Sequence, residues 1–565
     1  MSEELEQGDV TVTVAHDVPA RMRDGVVLRA NVYRPAGDGP WPTLLCRTPY
    51  DKNHGPSSEL LDAVRAARAG FMVVVQDTRG RFTSEGEWTP FKYEREDGYD
   101  TVEWAARLPG SNGRVGMFGD SYMGNTQWMA AVEQPPSLGA IAPGVTWHNP
   151  LDGLFARGGA LELGVALPWD LRTGVDHIAR QSGSAEERAR RTEALIADYD
   201  RLPVDGYWDL PVDGAMPALQ RHGVPDIGSL AMLADPDVPS WCRVEGRHER
   251  VTAPTLNLGG WYDIFAQGAI DNYMAMTALG RPARLVVGSW HHMLPAREPH
   301  GELSFGLRSN RFNVPAYRHG DLTDEQLAWM RRWLDPDAAD DDANEPPVRI
   351  FTMGRNSWRD EPGWPLPRAR TERWHLHADG GLAPAAPDAG AEPSTFAYDP
   401  ADPVPTVGGQ LVMSPAYPPG AFDQDRVEAR PDVLVFTSEP LQQELEVTGR
   451  VTVVLHAASS APSTDWVARL CDVHPDGRSY NLCDGIVRVS EGADELRRIE
   501  IDLWSTSIAF LPGHRLRVHV TSSSFPRWDR NLNTGDQRSA RFETARQLVR
   551  HDADHPSWIE LPVVG

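Results

Sequence analysis

Val115-Gly116-Met117-Phe118-Gly119-Asp120-Ser121-Tyr122-Met123-Gly124 is the stretch whose reading decides the fold. Val115–Phe118 is short and apolar, as in a buried strand, and 125–133 after the corner reads as a helix. A serine at a strand-to-helix corner flanked by glycines is the sequence form of a nucleophile elbow. The sharp turn lifts the hydroxyl off the sheet, forces strained φ/ψ on the serine and leaves room only for small neighbours. The helix start beneath it favours developing negative charge. The usual pattern is G-x-S-x-G, whereas here Met123 stands two residues after Ser121 and the glycine comes one later. A glycine-rich turn before a helix can also be a simple cap, so the argument for a nucleophile rests on the strand-turn-helix context.

Working outward, 10–35 reads as two antiparallel strands around Arg23-Asp24-Gly25, and 41–47 as a third that ends at Thr48-Pro49-Tyr50-Asp51-Lys52. Residues 58–69 have helical spacing, with Leu60, Leu61, Val64 and Ala67 on one face. Phe71–Val75 is a continuous apolar strand, as in a parallel sheet covered on both sides, and 96–108 is a further helix. Alternating strands and helices predict an α/β sheet with right-handed crossovers. From 147 to 244 the alternation fails, and helical segments such as 185–200 are interrupted by Pro203, Pro211, Pro217 and Pro225. An insertion there is where an α/β enzyme carries a cap.

The pattern resumes with strands 255–258 and 284–287 and helix 323–334, whose inner side carries Leu327, Met330 and Trp333. Residues 335–347, rich in Pro and Asp, read as a linker. Beyond it strands dominate (348–352, 433–437, 444–456, 465–473, 484–489, 500–502 and 514–522), as in a β-sandwich or jelly roll. The expected division is therefore an α/β domain over 1–146 and 245–340, a helical cap over 147–244 and an all-β domain over 348–565.

Composition excludes several classes of partner. With 55 Lys+Arg against 80 Asp+Glu the formal charge is −25, which argues against nucleic acid or an anionic membrane surface. The start shows no basic n-region or apolar h-region, and no apolar run is long enough to span a bilayer, so a cytoplasmic location is expected. Cys46, Cys242, Cys471 and Cys483 lack C-x-x-C spacing, which implies neither a zinc site nor a disulfide framework. Cys471 and Cys483 flank Pro475-Asp476-Gly477, so a hairpin could set them side by side; in a reducing compartment they read as packed thiols.

A serine nucleophile needs a base and an orienting acid, and in this fold class the chain order is Ser, Asp/Glu, His. Gly259-Gly260-Trp261-Tyr262-Asp263 and Gly288-Ser289-Trp290-His291-His292 supply them at two later strand ends. Each alone is weak, because an aspartate after a strand is commonly a turn former and a histidine there is commonly packed. Their occurrence in order points to a triad.

The elbow Gly119-Asp120-Ser121-Tyr122-Met123-Gly124 resembles the G-x-S-Y-x-G of the CocE/NonD hydrolases, the cocaine-esterase and X-prolyl dipeptidyl-peptidase (S15-like) family. Asp77-Thr78-Arg79-Gly80-Arg81-Phe82-Thr83-Ser84-Glu85-Gly86 is similar to that family's D-x-R-G-x-x-x-S-x-G segment. Gly260-Trp261-Tyr262-Asp263 and Gly288-Ser289-Trp290-His291-His292 resemble its G-W-x-D and G-x-W-x-H segments. Phe510–Arg517 and Asn531–Gly535 resemble strings of its jelly-roll domain. The resemblance spans nearly the whole chain. It implies an α/β-hydrolase fold with an inserted helical cap and a C-terminal jelly roll that closes one wall of the site.

The resemblance also implies roles. His292, rather than His291, matches the base, with Asp263 as its orienter and Ser121 as nucleophile. Tyr50, in Arg47-Thr48-Pro49-Tyr50-Asp51, matches the family's oxyanion-hole tyrosine, which works with the backbone N–H of Tyr122. Without the resemblance Tyr50 reads as a core aromatic. Trp147, Trp169 and Phe265 are expected to line the acyl pocket, and Arg79 and Glu85 to brace a loop. The chemistry requires no metal or organic cofactor. The expected substrate is a small-molecule ester, with amides, X-Pro peptides and an inactive binding scaffold as alternatives; homo-oligomer formation is left open. Relatives acting on α-amino acid esters resemble one another in placing acids two and three residues after the triad aspartate. Phe265 and Ala266 occupy those positions here, which favours neutral or aromatic acyl groups.

Overall fold

In a computed structural model, the structure describes residues 2–5, 11–54, 61–212, 217–229, 240–292, 299–311, 319–338, 345–490 and 492–565. The first eleven-stranded sheet begins with β1 (Ser2–Leu5), β2 (Val12–Arg21), β3 (Val27–Pro35) and β4 (Trp41–Thr48). Helix α1 (Ala63–Arg68), β5 (Met72–Asp77), α2 (Glu94–Ala106), β6 (Ser111–Asp120), α3 (Tyr122–Val132) and β7 (Leu138–Gly144) follow. The predicted helix over 58–69 is shorter than expected, and residues 58–60 lie outside the described residues. β1–β3 are antiparallel, and β3 meets β5 antiparallel. β5, β4, β6 and β7 then run parallel.

β5 shows why an unbroken apolar run fits this place. All six of its residues are buried. Val73 and Val75 join α1 and a later helix on one face, while Met72 and Val74 join α2 and α3 on the other. Side chains alternate across a strand, so with both faces covered Met72–Val75 is apolar throughout, and the polar Gln76 and Asp77 come only at the strand end, where Arg47 and Lys52 bond them.

After β7 comes a two-strand hairpin, β8 (Ala156–Arg157) and β9 (Ala160–Leu161), and then cap helices α4 (Leu163–Ala179), α5 (Ala185–Arg201) and α6 (Pro217–His222). α4 and α6 pack with Phe91, Tyr122, Trp147 and Phe265, so the cap sits at the end of the sheet that carries Ser121. The sheet resumes with β10 (Thr255–Tyr262), α7 (Ala266–Ala278), β11 (Ala283–His291) and α8 (Leu322–Leu334). α8 is the second helix on the Val73 face. It starts at a capping box in which Asp321 and Asp324 each accept the other's backbone N–H.

β12 (Val348–Thr352) departs from the sequence reading. It was expected to open the all-β domain, yet it pairs parallel with β11 and antiparallel with β13 (Ser357–Glu361), closing the first sheet. Its apolar alternation suits either sheet, and the choice falls to tertiary pairing, which a strand's own residues do not encode.

The C-terminal part is an all-β jelly roll of two antiparallel sheets. One contains β14 (Ala369–Leu376), β15 (Leu382–Ala383) and β16 (Ser394–Tyr398); the other is edged by β17 (Leu434–Thr437). The first sheet adds β18 (Leu445–Ser459). β19 (Ser463–Val473) and β20 (Ser479–Ser490) form a hairpin in the second. β21 (Arg497–Phe510), β23 (Ala545–Arg550) and β24 (Trp558–Val564) belong to the first sheet, and β22 (Arg515–Thr521) lies between β17 and β19. The β19–β20 register sets Cys471 opposite Asn481, and beyond a bulge between Leu470 and Cys471 it sets Cys483 opposite Leu470. The hairpin exists as expected, but its register, centred on Asp476, sets Cys471 opposite Asn481 and not Cys483, and both cysteines are buried free thiols.

The jelly roll grips the β8–β9 hairpin and the start of α4. Trp528 Nε1–H donates to Glu162 Oε1 (2.7 Å), Gly164 N–H to the Arg527 carbonyl (2.8 Å) and Leu161 N–H to Asp529 Oδ1 (2.7 Å). Gly158 has φ +54°, and a Cβ there would lie 2.0 Å from the Ile486 carbonyl oxygen, so only glycine allows this approach. Among the described residues, no helix is long and apolar enough to cross a membrane.

Candidate active site

Ser121 stands between the end of β6 and the first turn of α3 with φ 56° and ψ −120°, the strained backbone expected of an elbow. Its N–H donates to the Gly144 carbonyl (2.9 Å), and its carbonyl accepts from Thr146 Oγ1 (2.8 Å) and from Asn125 N–H (3.0 Å). Gly119 has φ +127°, and a Cβ there would meet Met123 Cβ at 2.7 Å. A Cβ at Gly124 would meet the Gly144 carbonyl at 2.8 Å. The shifted glycine therefore works by letting α3 approach β7. Met123 turns into the core, its sulfur 3.6 Å from Cys46 Sγ.

β10 ends one residue before Asp263 and β11 one residue before His292. His292 Nε2 lies 3.0 Å from Ser121 Oγ and His292 Nδ1 2.8 Å from Asp263 Oδ2. Asp263 is fully buried, and its other oxygen accepts the Phe265 N–H at 2.5 Å. This fixes the carboxylate plane. An imidazole between a hydroxyl and a buried carboxylate can take the hydroxyl proton and be stabilised as it charges. His291 points elsewhere: its ring packs 5.7 Å from that of His300, and burial holds its pKa down at about 3.

Tyr50 lies on the loop after β4. Its hydroxyl oxygen accepts Trp169 Nε1–H from α4 at 2.9 Å. That bond occupies a lone pair and leaves the phenolic proton for another acceptor. Burial raises the Tyr50 pKa, so it stays a protonated donor. The loop is held from below by the Asp77–Arg81 segment. Lys52 N–H donates to Asp77 Oδ1 (2.7 Å), Lys52 Nζ to Asp77 Oδ2 (3.0 Å) and Arg81 Nε–H to the Pro49 carbonyl (2.9 Å). Arg79 braces the same segment through a two-point pair with Asp97 and a contact to Asp24 (2.7 Å). Glu85 accepts the Val27 N–H (3.3 Å). Tyr122 contributes its main chain to the first turn of α3, where N–H groups lack intrahelical acceptors. Its side chain is structural. The hydroxyl donates to Glu94 (2.8 Å) and accepts Phe91 N–H (3.0 Å), while Glu94 pairs with buried Arg47 at 2.6 Å.

These groups meet in one cavity of about 600 Å³, whose lining includes Tyr50, Ser121, Trp147, Trp169, Phe265 and His292. Phe265 stands edge-on to Trp147 (5.1 Å) and to His292 (5.2 Å, 82°). All the predicted site residues are thus brought together, and sequence reasoning missed others. Phe91 stacks on Tyr122 at 4.5 Å and meets Trp147 edge-on at 5.4 Å, yet it sits in an irregular loop with no pattern to flag it. Arg81, within the quoted D-x-R-G segment, is buried under Trp88 (4.3 Å) and lies 3.4 Å from Asp176. Among the described lining residues the carboxylates are Asp120 and Asp176, matched by Arg81 and Arg172, which leaves no excess negative charge.

An α/β-hydrolase with a Ser-His-Asp arrangement under a helical cap is the class that fold and geometry define. Family models agree: residues 24–294 match X-Pro dipeptidyl-peptidase (S15 family), and 342–560 match the X-Pro dipeptidyl-peptidase C-terminal non-catalytic domain. The chain is 36% identical to the cocaine esterase of Rhodococcus sp. (strain MB1 Bresler), covering 98% of this chain and 99% of that one. Among solved structures it is similar to an aminopeptidase from the marine sediment archaeon Thaumarchaeota archaeon, with 26% identity, TM-score 0.78 and coverage of 98% and 97%. An α-amino acid ester hydrolase shares the fold at 24% identity, TM-score 0.77 and coverage of 98% and 96%. The chain belongs to the CocE/NonD family of S15-like serine hydrolases. It is a hydrolase acting on carboxylic ester bonds.

The Lys52–Asp77 pair is buried, at 1% and 0% side-chain exposure, so loss of one partner strands a charge. Lys52→Met should cost about 3 kcal/mol of stability in a urea titration. Adding Asp77→Asn should recover part of that loss, because an oxygen remains for the residue-52 amide while the stranded charge is gone.

Proposed function

We propose that this protein hydrolyses esters through an acyl-enzyme on Ser121. His292, oriented by Asp263, takes the proton of Ser121 Oγ as that oxygen attacks the acyl carbonyl. The resulting oxyanion accepts hydrogen bonds from the Tyr50 hydroxyl and the Tyr122 N–H. His292 returns the proton to the leaving alcohol. It then deprotonates a water that attacks the acyl carbon, and Ser121 departs with that proton. The observation that carries this reading is the unbroken chain of contacts, 3.0 Å from Ser121 to His292 and 2.8 Å from His292 to Asp263. The kinship with a cocaine esterase supports an ester as the scissile bond.

Tyr50→Phe should lower kcat on the order of a hundredfold, as loss of one oxyanion donor does elsewhere. KM should change less, because the hydroxyl acts on charge that develops in the transition state. An unchanged kcat would return Tyr50 to the role of a core aromatic.

We further propose a preference for neutral acyl groups. An α-ammonium group entering a closed pocket loses its hydration, and only a carboxylate partner offsets that loss. Two residues past Asp263 stands Phe265, at 2% exposure, and Asp176 is already engaged by Arg81 and the Phe82 N–H. An aromatic acyl group against Phe265 and Trp147 gains about 2 kcal/mol from burial. A phenylacetyl ester should therefore exceed the phenylglycyl ester of the same alcohol by more than about tenfold in kcat/KM. The reverse order would mean that an acid such as Asp120 receives the amine.

A further inference from the structure

Outside the active site, one group of side chains among the described residues has the composition of a metal site. Asp472 lies near the end of β19, His474 in the turn that leads to β20, and His514 one residue before β22. The register explains their meeting. Asp472 pairs with Leu516 and Val473 with Arg515, so one step further His474 stands opposite His514. Residues two apart on a strand share a face, which puts Asp472 beside both rings. His514 Nδ1 lies 2.8 Å from Asp472 Oδ1, and His474 Nε2 lies 3.4 Å from Asp472 Oδ2. The rings are 4.5 Å apart, and one donor atom from each of the three residues falls within 4.8 Å of the others. Asp472 and His514 are buried, and His474 is half-buried.

We propose that Asp472, His474 and His514 bind a divalent transition-metal ion of the zinc type, which clips the β19–β20 turn to the start of β22. Two imidazoles and a carboxylate are the donor set that borderline ions such as Zn²⁺ select, and hard ions such as Mg²⁺ prefer oxygen alone. Zinc–nitrogen and zinc–oxygen bonds of about 2.0–2.2 Å separate tetrahedral donors by about 3.3–3.6 Å, and the two carboxylate–imidazole spacings here are 2.8 and 3.4 Å. Small side-chain rotations gather them, and a water completes the shell on the side where His474 is open. Asp472 has no arginine or lysine as a direct partner among the described residues; its contacts are the two imidazoles. On metal binding each imidazole ligates through the nitrogen that faces the carboxylate (His514 Nδ1, His474 Nε2): a neutral ring carries its proton on the other nitrogen, and a protonated ring releases one proton to solvent. A hydrogen-bonded Asp-His-His bridge without metal affinity is the competing account.

Isothermal titration of the metal-stripped full chain with Zn²⁺ separates the two. The measurement is made in a His292→Ala background so that the active-site imidazole does not contribute. One equivalent should bind and raise the thermal midpoint. Asp472→Asn and His474→Ala should each weaken binding by about a hundredfold or more, more than loss of an outer-shell partner costs. His474→Ala removes a half-buried turn side chain and leaves the fold in place, so it reads the site even if Asp472→Asn misfolds. His456→Ala, in another histidine pair of the jelly roll, should leave binding intact. Binding that is absent, or that survives both ligand substitutions, would overturn the proposal.

Discussion

The left-handed backbone at Ser121 is the constraint on which the rest of the site depends. A non-glycine residue in such a conformation costs on the order of 1–3 kcal/mol, and it persists only where neighbours over-determine it. Here they do so from three sides: the Gly144 carbonyl takes the Ser121 N–H, Thr146 and Asn125 bond its carbonyl, and Gly119 and Gly124 leave the close approaches open. The bonds to β7 and Thr146 also anchor the chain that continues to Trp147, a wall of the cavity. One strained residue thereby sets the hydroxyl, the helix start beneath it and part of the pocket.

The partners of Ser121 arrive from four further segments, each with its own anchor. Asp263 is held by the Phe265 amide, and His292 by Asp263. The Tyr50 loop is tied to Asp77 and Arg81 at its base and to the cap through Trp169 at its tip. The cap in turn is gripped by the jelly roll around Glu162 and Gly158. The C-terminal domain therefore bears on the chemistry through a chain of contacts: jelly roll to the start of α4, α4 to Trp169, Trp169 to Tyr50.

Much of this was legible in the sequence because parallel α/β sheets put chemistry at strand ends, where short motifs stand out. Ser121, Asp263 and His292 each follow an apolar strand in the expected order, and the resemblance of their flanking residues added Tyr50. What the sequence hid depends on tertiary partners. Val348–Thr352 could join either sheet, and only its pairing with β11 decides. Cys471 and Cys483 stand almost symmetrically about their turn, but the pairing is centred one residue earlier, on Asp476, and sets Cys471 opposite Asn481. Phe91 and Glu94 carry no spacing signal at all; their importance comes from Tyr122, which both touch. The exchange of Gly for Met123 in the elbow, a departure in the sequence, is accommodated by a side chain that turns into the core.

The central claim is that Ser121 carries the acyl group. It is tested most directly by reacting the protein with a fluorophosphonate and locating the adduct by peptide mass spectrometry. One phosphonyl group per chain on the peptide that contains Ser121, with hydrolysis lost in proportion to labelling, is the predicted result. Full ester turnover after stoichiometric labelling, or an adduct on a different serine, would contradict the account.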